Sequence, residues 1–147
     1  MKLKIAWIGK TKESAIQTLT EEYLKRISHY AEVEGIPLKD EAALIELARG
    51  TRSQGRCRLA LLDSRGKQFS SDEFAKFLQD HQERNPLPML FAVGPADGFG
   101  DAARQNADLL LSLGRMTLAH ELARVVLLEQ VYRAFTILKG HPYHRGH

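Results

Sequence analysis

Cysteine occurs once in the 147 residues, at Cys57, so no internal disulfide can form and no cysteine cluster can hold a metal. Long apolar runs are also missing. The longest are four or five residues, as at 89–93, far short of the ~20 that a membrane-spanning helix needs. The opening stretch, Met1-Lys2-Leu3-Lys4-Ile5-Ala6-Trp7-Ile8, is basic and then apolar, but it reaches Gly9-Lys10 too soon for a signal peptide, and the expected compartment is the cytoplasm. Neither sign of charge dominates: 21 Lys and Arg face 18 Asp and Glu, and a net charge of +3 does not by itself demonstrate a nucleic-acid partner. Repeats, low-complexity blocks and Pro/Gly/Ser-rich linkers are absent, so residues 1–147 read as one domain. What is present is an ordinary globular balance, 44% hydrophobic and 27% charged, in a chain long enough to bury a core without metal or disulfides.

Residues 3–9 form a β-branched and aromatic run closed by a glycine, a first strand. From 13 to 30 the spacing turns helical, with Ile16, Leu19, Tyr23, Leu24 and Ile27 on one face. Residues 31–38 read as a partly exposed strand, and Asp40 caps a helix closed by Gly50. An apolar strand follows at 57–63, with residues 64–67 turning after it. Ser70 or Ser71 caps the next helix, which Pro86 ends. Residues 88–94 and 109–113 are buried strands flanking a short helix at 101–108, and a long helix at 119–139 stops at Gly140. Strands alternate with helices and the inner strands are apolar on both faces, which specifies an α/β fold with a parallel sheet covered by helices. Such sheets carry function on loops at the carboxyl ends of their strands. Three loops therefore stand out, at 62–67, 94–100 and 113–119.

The 94–100 loop contains Gly98-Phe99-Gly100-Asp101-Ala102-Ala103, which satisfies the degenerate dinucleotide fingerprint, with Glu121 downstream. Its strand ends four residues too early, however, and a dinucleotide fold carries this loop on its first strand. The glycines equally serve a sharp turn or let a backbone approach another ligand. In the 113–119 loop Thr117 is placed to cap the last helix. That helix is apolar on more than one side, which suggests that it meets its own sheet and also a second subunit. Glu129 and Arg133, four apart, are spaced for a salt bridge. The tail, Lys139-Gly140-His141-Pro142-Tyr143-His144-Arg145-Gly146-His147, holds rings and cations with no acid, which suits RNA better than metal. Arg49, Arg52, Arg56 and Arg58 form a second basic cluster.

Together these segments resemble the ribosomal large subunit methyltransferase H enzymes of the SPOUT (α/β-knot) superfamily. The resemblance runs from Met1-Lys2-Leu3 to Gly9, through Glu22-Tyr23-Leu24-Lys25-Arg26, the 62–67 turn and Val93-Gly94. It is strongest in Met116-Thr117-Leu118, in the run from Arg124 to Phe135, and in His141-Pro142-Tyr143-His144-Arg145. It implies a C-terminal trefoil knot, a rare exception to unknotted topology, and a homodimer. It further implies methylation by S-adenosylmethionine of N3 of a pseudouridine in the helix 69 loop of 23S rRNA, on assembled ribosomes, without metal. Carried over by position, the cofactor contacts fall on Leu62, Gly94, Leu113, Gly114, Arg115, Met116, Thr117 and Leu118. The target base falls to Tyr143, His144 and Arg145, with His120 and Arg124 as second candidates. Two positions depart from the family pattern: Pro95 replaces a glycine, and Ala119 a proline. The rival readings are a non-catalytic RNA- or ribosome-binding protein and a dinucleotide-dependent oxidoreductase.

Overall fold

A computed structural model describes residues 1–95 and 97–145, with the side chains of His144 and Arg145 outside the description. Five strands, β1 (Lys2–Ile8), β2 (Glu32–Leu38), β3 (Arg58–Gln68), β4 (Met89–Val93) and β5 (Leu109–Ser112), form one sheet in the order β2-β1-β4-β3-β5. Every pairing is parallel. Five helices connect and follow them: α1 (Ser14–Ile27), α2 (Glu41–Arg49), α3 (Ser71–Arg84), α4 (Asp101–Asn106) and α5 (His120–Lys139).

Alternation along each strand sends side chains to two cores. Leu3, Ile5, Trp7, Met89, Phe91 and Val93 point to the face that packs α1, α3 and α5, while Ala6, Ile8, Leu90, Ala92, Leu59 and Leu61 point to the face of α2 and α4. Local chemistry sets the helix ends. The Asp40 carboxylate accepts the Ala43 amide at 2.9 Å, and Ser70 and Glu73 form a reciprocal capping box. Gly140 closes α5 in the left-handed conformation that glycine adopts without strain.

Three expectations change. First, α5 is indeed apolar on more than one side, but α1 and α3 flank it within the same chain, and Val125, Leu127, Leu128, Val131 and Phe135 are buried there. Its surplus apolar surface is thus largely covered without a second subunit. Secondly, Thr117 does not cap α5. The cap position is Ala119, with no side-chain hydrogen bond. Thirdly, the 64–67 turn does not end its strand. β3 pairs Leu62 with Leu111, leaves the ladder over residues 63–66, and rejoins it with Lys67 opposite the same Leu111. A four-residue excursion of this kind is a large bulge, which bends the strand and aims the extruded residues away from the sheet.

Gly66 fixes that excursion. A Cβ there would lie 2.5 Å from the Leu110 carbonyl carbon and 2.6 Å from its oxygen, both backbone atoms that cannot swing aside. Gly66→Ala is therefore expected to cost about 1–3 kcal/mol through overpacking. Urea unfolding of the purified variant checks this, and stability equal to wild type would contradict it.

The basic cluster disperses. Arg49 donates to Asn106 at 3.1 Å, and Arg58 turns to the buried His81. His81 Nε2 lies 2.9 Å from the Leu87 carbonyl and so donates to it, which leaves Nδ1 to accept from Arg58 at 3.2 Å. Only the neutral ring can do both. Burial lowers the His81 pKa from 6.5, the Leu87 carbonyl partly opposes this, and Arg58 adds to the lowering. The unfolded chain then binds a proton more readily than the folded one. This stability is complete above pH 6.5 and is lost as pH falls toward the depressed folded value. Unfolding at pH 7 and pH 5 should show a larger acid-induced loss for wild type than for His81→Gln. Equal losses would remove His81 as the cause.

Candidate functional site

The carboxyl ends of β3, β4 and β5 open into a cleft of about 340 Å³. Both core faces are apolar, so charged groups collect at the strand ends, and here three loops meet. The β3 excursion brings Asp63, Ser64 and Arg65. The end of β4 brings Gly94, Pro95, Asp97 and Gly98. The segment after β5 brings Leu113, Gly114, Met116, Thr117 and Leu118 up to His120 at the start of α5. The structure thus gathers Leu62, Gly94, Leu113, Gly114, Met116, Thr117 and Leu118 on one cavity; Arg115 is exposed and does not line it.

Asp63, which the sequence reading passed over, is the electrostatic centre of the cleft. Its carboxylate accepts the Arg65 amide at 2.8 Å and the Arg104 Nε at 3.0 Å. Burial pushes its pKa up, but the Arg65 amide and the Arg104 guanidinium together outweigh burial and hold it below the usual carboxylate range. The available signal was its position, the first acid after an apolar strand at the carboxyl edge of the sheet. Arg65 and Arg104 bring cations to this wall, partly balanced by Asp63, by Asp101 beside Arg104 and by Asp97 on the cleft. Ser112 Oγ bonds both Gly114 backbone groups, donating to its carbonyl at 2.9 Å and accepting its amide at 3.1 Å. Gly114 needs its glycine for φ +138°.

Gly94 is explained differently from the sequence expectation. A Cβ there would sit 2.9–3.1 Å from the Phe99 ring of the same chain, so the missing side chain makes room for Phe99. Substitution at Gly94 consequently perturbs the fold as well as the cleft. The dinucleotide fingerprint also changes meaning. The Glu41 carboxylate accepts the amides of Gly100 and Ala103 at 3.0 and 3.1 Å. An acid already fills the place where a pyrophosphate would have to bind.

Arg124 does not reach the cleft. It is buried beside Trp7, its guanidinium 4.2 Å from the ring centroid, with Thr20 Oγ1 accepting from Nη1 at 3.3 Å and Nε without a hydrogen-bond partner among the described residues. Glu129 and Arg133 form the expected pair, at 2.7 Å. The tail begins at the far end of α5. A 20-residue helix is about 30 Å long, so the single 3₁₀ turn of Pro142–Arg145 stands roughly that far from His120. Tyr143 packs edge-on to Tyr132, centroids 4.7 Å apart, with Arg133 over its ring. Burial, a hydrogen bond with Tyr23 and the nearby Glu129 push its phenol up to about 12. His141 bonds the Tyr30 hydroxyl.

The family described as "Predicted SPOUT methyltransferase" matches residues 1–144. A protein of Koribacter versatilis (strain Ellin345) named Ribosomal RNA large subunit methyltransferase H is 54% identical over 147 residues, covering all of both chains. A protein of the same name from Geobacter sp. (strain M21) is 43% identical over 152 residues, covering 98% of this chain and 99% of its own. Among solved structures, the SpoU methyltransferase AviRb from Streptomyces viridochromogenes, in complex with AdoMet, superposes with a TM-score of 0.57 at 14% identity. That match covers 90% of this chain and 57% of the other. Lpg2936 of Legionella pneumophila, with bound SAM, gives 0.51 at 15% identity, over 91% and 66% of the two chains. At such identities the likeness is one of fold, and it agrees with the parallel sheet seen here. Sequence and fold converge: this chain belongs to the SPOUT methyltransferase family.

Proposed function

We propose that this chain, acting as one domain in the cytoplasm, methylates N3 of a pseudouridine in the helix 69 loop of 23S rRNA on the assembled ribosome. We propose further that it works as a homodimer, and that a C-terminal trefoil knot shapes its cofactor site. The supporting observation is the meeting of three strand-end loops on one cleft, in a chain whose relatives are named for methylating large-subunit ribosomal RNA.

The cleft suits S-adenosylmethionine. Its volume lies within the range of about 300–1,000 Å³ typical of small-ligand sites. Leu62, Leu113 and Leu118 offer apolar walls to an adenine ring, and Arg65 and Arg104 offer positive charge to a carboxylate. Pro95 cannot donate through its nitrogen, so the β4 loop contributes shape and carbonyl groups instead. When bound, the cofactor supplies an electrophilic methyl group on a sulfonium.

The chain's own residues then have two tasks, to hold the base and to manage its proton. N3 of a uracil-type ring is an imide nitrogen that must lose its proton to become a nucleophile. The planar fork of Arg145 is suited to stabilising the resulting anion, and His144 to taking the proton. Tyr143, with its phenol pushed up to about 12, keeps its own proton at neutral pH and anchors the tail instead of acting as a base. Because α5 holds the tail about 30 Å from its own cleft, the tail that serves a cleft comes from a second copy. The exposed Leu19 and Leu122 supply apolar surface for that contact.

Two experiments test these assignments. Leu118 is exposed, so Leu118→Asp should leave thermal stability nearly unchanged. Its affinity for S-adenosylhomocysteine, measured by calorimetry, should fall at least about tenfold, or ~1.4 kcal/mol. Wild-type affinity in the folded variant would remove this wall from the cofactor site. The second experiment separates cis from trans tails. Arg145→Ala and Leu118→Asp should each be inactive alone on ribosomes. Unfolded and refolded together, they should recover about a quarter of wild-type activity, since half of the resulting dimers are mixed and each mixed dimer has one intact site. No recovery would place the tail in its own subunit's site.

A further inference from the structure

The cofactor cleft has two unlike sides. The segment after β5 lines it with Leu113, Gly114, Met116, Thr117 and Leu118, mostly apolar or bare backbone. The β3 excursion, the β4 loop and α4 line it with Asp63, Arg65, Asp97 and Arg104. A wall that carries both signs suits a zwitterion. It does not suit a chain of phosphates, which the carboxylates of Asp63, Asp97 and Asp101 would repel. The amino-acid end of S-adenosylmethionine, with one ammonium and one carboxylate, is such a zwitterion.

Within this wall the two arginines differ. Arg104 Nε donates to Asp63 Oδ2 at 3.0 Å, and the Asp63 side chain is only 6% exposed. The other oxygen of that carboxylate accepts the Arg65 amide at 2.8 Å. The β3 backbone thus fixes the carboxylate, and the carboxylate fixes the Arg104 guanidinium. The Arg65 side chain, by contrast, is 67% exposed and meets Asp63 only at 3.5 Å. Arg104 Nη1 and Nη2 make no hydrogen bond among the described residues; the pair with Asp101 is loose, at 3.9 Å. An arginine held by Nε keeps the edge of its two Nη groups for a second partner, and that edge matches a carboxylate in bidentate fashion.

We infer that Arg104 reads the carboxylate at the amino-acid end of the cofactor, and that Asp63 is its positioning residue. Asp63 acts through Arg104, because both of its oxygens are already engaged inside the protein. The inference rests on the reading that S-adenosylmethionine occupies this cleft. The apolar β5 side is then left to the adenine, so the cofactor's two ends are sorted by the two sides of the cleft.

Calorimetry with two ligands tests this: S-adenosylhomocysteine, and its decarboxylated form, which keeps the ammonium and lacks only the carboxylate. Wild type should prefer the first at least about tenfold, the worth of a charged hydrogen-bonded pair. Arg104→Met should lose that preference and bind both ligands alike, through a fall in S-adenosylhomocysteine affinity alone. Arg104→Lys, the milder change, should keep part of the preference, since a point charge replaces the fork. Asp63→Asn should also lose part of it, although Asp63 touches no ligand. Thermal unfolding shows that each variant is folded. No preference in wild type, or an undiminished one in both Arg104 variants, would overturn the proposal. So would an equal loss for both ligands, because a merely structural arginine weakens them together. Full preference in Asp63→Asn would remove Asp63 as the positioning residue. Wild type that binds neither ligand would fail the parent reading instead, a result distinct from all of these.

Discussion

The site depends on one close approach, that of Gly66 to the backbone of β5. Parallel strands in a buried sheet normally run in uniform register, since a slip sends every side chain to the wrong face. Here β3 extrudes residues 63–66 and still rejoins β5 opposite the same leucine, so the extruded residues sit at the cleft rather than in either core. Only a residue without a side chain can lie on Leu110 at that distance. What the extrusion gains is the Asp63 carboxylate and Arg65 held over the cleft at the sheet edge, with Arg104 of α4 reaching in to meet Asp63. Asp63 could not remain ionised inside either core; at the bulge the Arg65 amide and the Arg104 guanidinium keep it so.

Charge elsewhere follows the same logic of placement. His81 is neutral because its Nδ1 accepts from Arg58 while its Nε2 donates to the Leu87 carbonyl. Arg124 is buried against the Trp7 ring and the Thr20 hydroxyl, with Glu121 one turn earlier on α5 opposing its charge, and so ties α5 to β1 and α1. Glu41 reaches from α2 to satisfy two amides at the start of α4, so that a six-residue helix with no cap of its own is held in place.

Much of this was legible in the sequence, and the failures share a cause. The alternation of strand and helix, the caps at Asp40 and Ser70 and the stop at Gly140 are local signals, and the structure follows them. The three loops gathered at the cleft follow from the general rule for parallel sheets. What misled were positions whose meaning depends on a distant neighbour. Ser64-Arg65-Gly66-Lys67 has turn chemistry, but Leu110 makes it a bulge. Gly94 lines the cleft, but the room left by its missing side chain is taken by Phe99 of the same chain. The apolar faces of α5 are covered in large part by α1 and α3 of the same chain, with Leu122 left exposed. Thr117 has the right side chain for a cap and sits two residues too early.

The length of α5 carries a further consequence. A helix is stiff over five or six turns, so α5 acts as a spacer of fixed length, with the cofactor cleft at one end and the anchored tail at the other. If the working site joins the cleft of one copy to the tail of another, a lone chain holds every necessary group and can never bring them together. Activity in dilute solution would then vary with the square of protein concentration. A cell making little of the protein would hold it silent, with no inhibitor needed to keep it so.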